Sequence, residues 1–253
     1  IKSNIIYIFK MRFLLIIFIF FSCYSTLYAN EIFNLLKIPN LEVLDLNSKN
    51  KIKYFNTKEN FIIGATQNIV CDKVEKNNLN NKYKIVKKNL DIYSHEFLKK
   101  NNLRFVVLCK NLSISGIQTA GIPDKQKRIL ILDINFDPKY FERVIHHEVF
   151  HMIYDSNPDL FDEKIWRSFN YASFEYAGCS TCSDNVGLDV IKKGDGFITE
   201  YSKTIPSEDM AEIYSFIIKK DNALIKLSKK DKTLKKKINF IKNSIRKIDE
   251  TIL

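Results

Sequence analysis

One helix is written into residues 137–154. Asp137 can cap its first turn through the side chain, and Pro138, with no N–H to lose, suits the first helical position. Phe141, Val144, Ile145, Phe150 and Met152 follow at helical spacing, so one face of this segment has to lie along a core. Within it stands His147-Glu148-Val149-Phe150-His151, the spacing H-E-x-x-H. Residues four apart share a helix face, so His147 and His151 can offer two imidazole nitrogens to one ion. Glu148, one position on from the first histidine, can reach a water held at that ion and act as its general base. His146 points elsewhere and reads as a spectator. So short a pattern also recurs by chance. On these residues alone a zinc helix and an ordinary amphipathic helix both stand.

A catalytic zinc needs a third protein ligand and one open position. Downstream, Pro206-Ser207 is a helix-start signal for a helix over residues 207–219. Met210, Ile213, Tyr214 and Ile217 form its apolar stripe. Glu208 and Glu212 fall on the other side with Ala211 and Ser215, whose small side chains let another backbone come close. Glu208 is the candidate third ligand, although an acid at a helix start is also favoured by the helix dipole. Glu212, one turn later, and Asp155, four residues after His151, are candidates to orient the ligands. Solvent-facing charge explains both equally well. His95 falls in a different helix and reads as structural or exposed.

The remaining pattern is α+β. Residues 79–101 carry Tyr83, Val86, Leu90, Tyr93 and Phe97 at helical period. Residues 103–109 and 128–133 are short β-rich runs, with turn signals between them at Ser115-Gly116 and Gly121-Ile122-Pro123-Asp124. No internal repeat or Pro/Gly/Ser linker divides the chain, so residues 30–253 read as one domain. A lysine-rich helical tail runs over residues 221–253. Lys229, Lys230, Lys232, Lys235, Lys236 and Lys237 read as a solvated helix face; attraction to anionic lipid or cell-wall polymer is the weaker alternative.

Residues 1–29 read as a signal peptide. Met11-Arg12 begins a positive segment, residues 13–21 are an apolar run too short to span a bilayer, and Leu27-Tyr28-Ala29 ends in a small residue. Residues 1–10 precede the expected start at Met11. Cys23 follows Phe20-Phe21-Ser22, a poor match to a lipoprotein box, so lipid anchoring is the lesser option. Loss of residues 1–29 removes Lys2, Lys10 and Arg12 from a net charge of +11 and leaves 11 − 3 = +8. That balance fits non-specific attraction rather than a specific nucleic-acid partner. In an oxidising compartment Cys71 with Cys109 and Cys179 with Cys182 is the simplest pairing, with metal ligation by the C-x-x-C pair still open.

Two segments then combine. Gly196-Phe197-Ile198-Thr199-Glu200-Tyr201 followed by Ser207-Glu208-Asp209-Met210-Ala211-Glu212, with the His146–His151 stretch upstream, resembles the zinc metallopeptidases related to the catalytic domain of anthrax lethal factor and the Pro-Pro endopeptidases. The bacterial group named putative zinc-binding metallopeptidases is the nearest likeness. The resemblance covers residues 109–216 well and the ends poorly. It implies a zincin-like domain with a small mixed sheet and a helical C-terminal part. It implies gluzincin-type cleavage of peptide or protein substrates with one zinc per chain on His147, His151 and Glu208. Tyr201, seven residues before Glu208, would donate a hydrogen bond to the oxyanion. Residues 166–178 resemble the family's aromatic stretch, and Ala120-Gly121 its substrate-lining edge strand. The Cys179/Cys182 pair departs from the family pattern. The rival expectation is a binding protein that keeps the scaffold without useful turnover.

Overall fold

The computed structural model describes residues 38, 40–64, 66–182 and 186–253. The expected signal segment, residues 1–29, lies outside them. Asn40–Leu253 is one compact unit. Its elements are β1 (Leu41–Asp45), β2 (Lys53–Thr57), β3 (Phe61–Ile63), β4 (Ile69–Asp72), α1 (Lys76–Leu90), α2 (His95–Lys100), β5 (Phe105–Ile114), β6 (Ile117–Gln118), β7 (Gly121–Asp124) and β8 (Ile129–Asp133). The long α3 (Pro138–Ser156) and the short α4 (Glu163–Arg167) follow, then α5 (Pro206–Ile218), α6 (Asn222–Ser228) and α7 (Lys232–Ile248). This is the α+β order expected, with a mixed sheet and a helical C-terminal part.

β5 is the hinge of the sheet. Its first half pairs in parallel with β2 and β8, and its second half pairs antiparallel with β4 and β6. Val106, Val107, Leu108, Cys109 and all of β8 are buried. Covered on both faces, these strands read as continuous apolar runs instead of alternating ones. β7 pairs antiparallel with β8 alone and forms an edge, from Gly121 opposite Leu132 to Asp124 opposite Ile129. The turn expected at Gly121–Asp124 is therefore a strand. Pro123 is tolerated because an edge strand need not donate on its open side, and the chain reverses at residues 125–128 instead, where Arg128 N donates to Lys125 O.

The helical period over residues 79–101 also needs correction, since α1 and α2 are separate. Ser94 Oγ accepts from Phe97 N and starts a new helix. Tyr93 and Phe97 still stack at 5.5 Å across the break, so the apolar period continues while the backbone does not. Strands β1 to β4, of three to five residues each, had no clear signal because they are short. The disulfide Cys71–Cys109 joins β4 to β5, and Cys179–Cys182 closes a small loop before the cleft.

α3 begins as anticipated, with Asp137 Oδ1 accepting from Lys139 N at 2.8 Å and Pro138 in the first turn. It lies over β7 and β8 and packs against α5. Nearly every side chain of α5 is buried, acids included, because α3 covers one side of it and α7 another. The tail is two helices rather than one continuous run. Asp221 caps α6 through Ala223 N, and Asp231 caps α7 through Leu234 N. Lys229, Lys230, Lys232, Lys235 and Lys236 are exposed as expected, but Lys237 is fully buried.

Candidate metal centre

The contact of α3 with α5 brings His147, His151 and Glu208 together. His147 Nε2 lies 2.8 Å from Glu208 Oε2, His151 Nε2 lies 3.2 Å from the same oxygen, and the two Nε2 atoms are 3.2 Å apart. Three donors thus converge on one point, the only such His/Cys/Asp/Glu grouping among the described residues. Glu208 stands in the first turn of α5, where the helix dipole favours an acid, so the bland reading of that position and the ligand reading are both satisfied.

The donor set fits a cation. His147 Nδ1 lies 2.9 Å from Glu212 Oε1, so its proton faces Glu212 and its Nε2 faces the cluster. Glu212 Oε2 in turn accepts from Arg143 Nη1 at 2.6 Å and from Thr199 Oγ1 at 2.9 Å. Burial alone would lower the His147 imidazole, but Glu208 and Glu212 outweigh it and raise the group to about 10. His151 is likewise pulled down by burial and pushed above its usual range by Glu208. The Glu208 carboxyl, which burial would raise, is held well below the carboxylate range by His151 and His147. Negative potential at this point stabilises positive charge, whether a proton or a divalent ion supplies it.

Glu148 sits beside the cluster in a cleft of about 210 Å³, with His147, Tyr201, Val144, Val186 and Leu188 among its walls. Burial raises the Glu148 carboxyl, partly offset by His147 and His151. Gln118, Thr119 and Ala120 line the cleft too, and β7 follows directly: a Cβ on Gly121 would lie 2.6 Å from Glu148 Cγ and 2.9 Å from Cδ, so only glycine leaves room for the acid there. Tyr201 opens a short turn, residues 201–203, and its ring lies 5.9 Å from that of His147. Burial and the neighbouring Glu208, Glu148 and Glu212 keep its phenol protonated. Two larger hollows, of about 790 and 1070 Å³, lie elsewhere on the chain. Neither brings two histidines and a carboxylate together, so size does not locate this centre.

Of the two residues expected to orient ligands, Glu212 does so and Asp155 does not. Asp155 is exposed at the end of α3, where its backbone carbonyl meets the Lys125 ammonium. His146 is buried away from the cluster, donating from Nε2 to Asn89 Oδ1 at 3.0 Å and accepting at Nδ1 from Tyr93 OH at 2.8 Å. His95, the first residue of α2, is not among the cleft's lining residues, and its Nδ1 lies 3.2 Å from Asn50 O. Arg143 was given no role from sequence, and Thr199 and Gly121, though inside segments the sequence singled out, were given none beside Glu212 or Glu148. No role was given either to Asp209, a member of the Ser207–Glu212 segment, whose Oδ2 accepts from Tyr176 OH at 2.6 Å, Lys237 Nζ at 2.7 Å and Trp166 Nε1 at 3.0 Å. The aromatic stretch over residues 166–178 thus braces the residue next to Glu208.

A family model described as "Putative zinc-binding metallo-peptidase" matches residues 66–248, most of the chain. The chain belongs to this family. A crystal structure of a putative zinc-binding metallo-peptidase from Bacteroides caccae shares its fold, with a TM-score of 0.50 and 18% identity over 82% of this chain and 86% of that one. No curated protein matches the sequence. Within this metallo-peptidase family the His147, His151 and Glu208 cluster is the candidate zinc site.

Proposed function

We propose that this chain is an exported, gluzincin-type peptidase that hydrolyses peptide bonds in peptide or protein substrates with one zinc per chain. The observation that carries the reading is the convergence of His147 Nε2, His151 Nε2 and Glu208 Oε2 within 3.2 Å of one another, beside a buried Glu148. Zinc on that donor set supplies Lewis acidity, acidifying water and polarising a carbonyl. Glu148, its carboxyl raised by burial, takes the proton from water and passes it to the departing nitrogen. Tyr201 donates its phenolic proton in a hydrogen bond to the oxygen that gains charge. Glu212 fixes the His147 ring, and Arg143 and Thr199 fix Glu212.

A non-catalytic scaffold would have no use for a buried base crowded against Gly121 beside the cluster. Export rests on the pattern of residues 11–29 and is supported by two disulfides, which persist in oxidising compartments. Kinship with the lethal factor and Pro-Pro endopeptidase domains rests on the segments around Tyr201 and Glu208.

The test is metal content and peptide cleavage together. Wild type should hold about one zinc and cleave members of a mixed peptide library; Glu208→Ala should lose or loosen the metal. Glu148→Gln should keep zinc and lose cleavage by about a hundredfold or more. Folded wild type that takes up no zinc would refute the reading. Zinc retained equally by Glu208→Ala would remove Glu208 from the ligand set.

A further inference from the structure

A second site lies at the other end of β8. Glu148 packs against Gly121, which pairs with Leu132 near the C-terminal end of that strand. At its N-terminal end, where β2, β5 and β8 all begin, the chain forms a hollow of about 790 Å³, within the range of small-ligand sites. Lys51, Lys53, Lys99, Arg104 and Arg128 line it together with His95, and no carboxylate among the described residues does. Among the described residues Lys51, Lys53, Lys99 and Arg104 form no ion pair.

Two features set this hollow apart from a surface that is merely lysine-rich. The first is its arginines. The chain holds six arginines against 34 lysines, yet Arg104 and Arg128 both stand here. Arginine's planar fork matches phosphate and carboxylate oxygens in pairs, which a lysine point charge does not. The second is backbone strain. Lys51, Asn102 and Arg128 all line the hollow with positive φ, at 60°, 57° and 60°. Three of the nine described non-glycine residues with positive φ thus meet at this one hollow, whereas the other basic hollow has one, Asp195, and such residues gather at ligand clamps. The other basic hollow, beside α6 and α7, has six lysines but no arginine, and Asp195 and Asp231 line it too.

We propose that this hollow binds a small, multiply charged anion bearing phosphate or carboxylate groups, at a site separate from the metal centre. Its floor is partly apolar, with buried Leu103, and buried Asn50 is held in place through Leu90 O, Ser48 and Ile52 N. A ligand with a short carbon frame therefore suits it better than a bare inorganic ion. The proposal does not depend on peptidase activity.

The experiment is calorimetric titration of the full zinc-loaded chain with two probes that chelate zinc weakly, fructose 1,6-bisphosphate and tricarballylate. Saturable one-to-one binding of at least one probe is expected, and the tighter of the two names the anion chemistry. Lys53→Gln/Arg104→Gln should weaken it about tenfold or more, from lost charge-assisted contacts. Lys229→Gln/Lys230→Gln, in the other basic hollow, should leave it unchanged. Glu208→Ala should also leave it unchanged, which separates this site from the metal centre. No saturable binding of either probe to a folded wild type would overturn the proposal. So would equal weakening by both double substitutions, since that is the mark of diffuse attraction. If Lys53→Gln/Arg104→Gln melts early, Lys51→Gln/Lys99→Gln, at two exposed positions, replaces it with the same expected loss.

Discussion

Lys237 is the perturbation that most directly tests how the tail supports the metal centre. Its ammonium is 0% exposed, 2.7 Å from Asp209 Oδ2 and 3.7 Å from the centre of the Phe197 ring. Asp209 follows Glu208 on α5, so this pair ties α7 to the helix that carries the candidate third ligand. Lys237→Met keeps the packing volume and removes the charge. Asp209 then retains Tyr176 OH and Trp166 Nε1 but loses its cation while fully buried. Removing one partner of a buried pair costs about 3–5 kcal/mol. For a unit of this size that is a fall in Tm of roughly 10 °C or more. Urea unfolding of wild type, Lys237→Met, Asp209→Asn and the double variant gives the coupling, expected at about 2 kcal/mol or more because the two groups touch. Zinc affinity should fall with Lys237→Met. A loss under about 1 kcal/mol, or single effects that simply add, would show that the pair contributes little and that α7 packs without it.

Gly121→Ala should leave zinc bound but lower peptide cleavage by about a hundredfold, because a Cβ 2.6 Å from Glu148 Cγ has to push the base aside by about an ångström; unchanged turnover would put Glu148 outside its proposed role. Glu212→Gln should weaken zinc binding by about ten- to a hundredfold without unfolding the chain, read by competition with a chromogenic chelator. His146 predicts an acid limb in stability. Burial, with Lys219 adding to it, lowers its imidazole to about 3, below the unfolded value of about 6.5, so the unfolded chain binds the extra proton between those limits. Stability from this group is whole above about pH 6.5 and is lost as pH falls towards about 3, by about 5 kcal/mol in all. Urea unfolding from pH 7 downwards should show a shallower loss for His146→Gln, and an identical slope would exclude His146 as its source.

Short-range chemistry was legible in the sequence. Asp137 and Pro138 start α3, and the four-residue spacing of His147 and His151 puts both on one helix face whatever surrounds them. Glu208 and Tyr201 were singled out because they sit in a recognisable segment, not because anything local requires a ligand there. Other local signals misled where the fold outweighed them: the apolar period ran through the break at Ser94, Gly121–Asp124 became an edge strand, and one lysine of a solvated run went inside.

What only tertiary structure decided are the partners of the candidate ligands and their neighbours. Glu212 reaches His147 and Arg143 across 65 and 69 residues, Lys237 reaches Asp209 across 28, and Gly121 makes room for Glu148 from β7. A charged residue on a helix reads the same in sequence whether it faces water or a buried opposite charge. Asp155 and Glu212 looked alike on those terms, and the packing of α3 against α5 left one in solvent and put the other against His147. Helical spacing depends on the backbone of one segment, whereas burial and pairing depend on which segments the whole chain brings together.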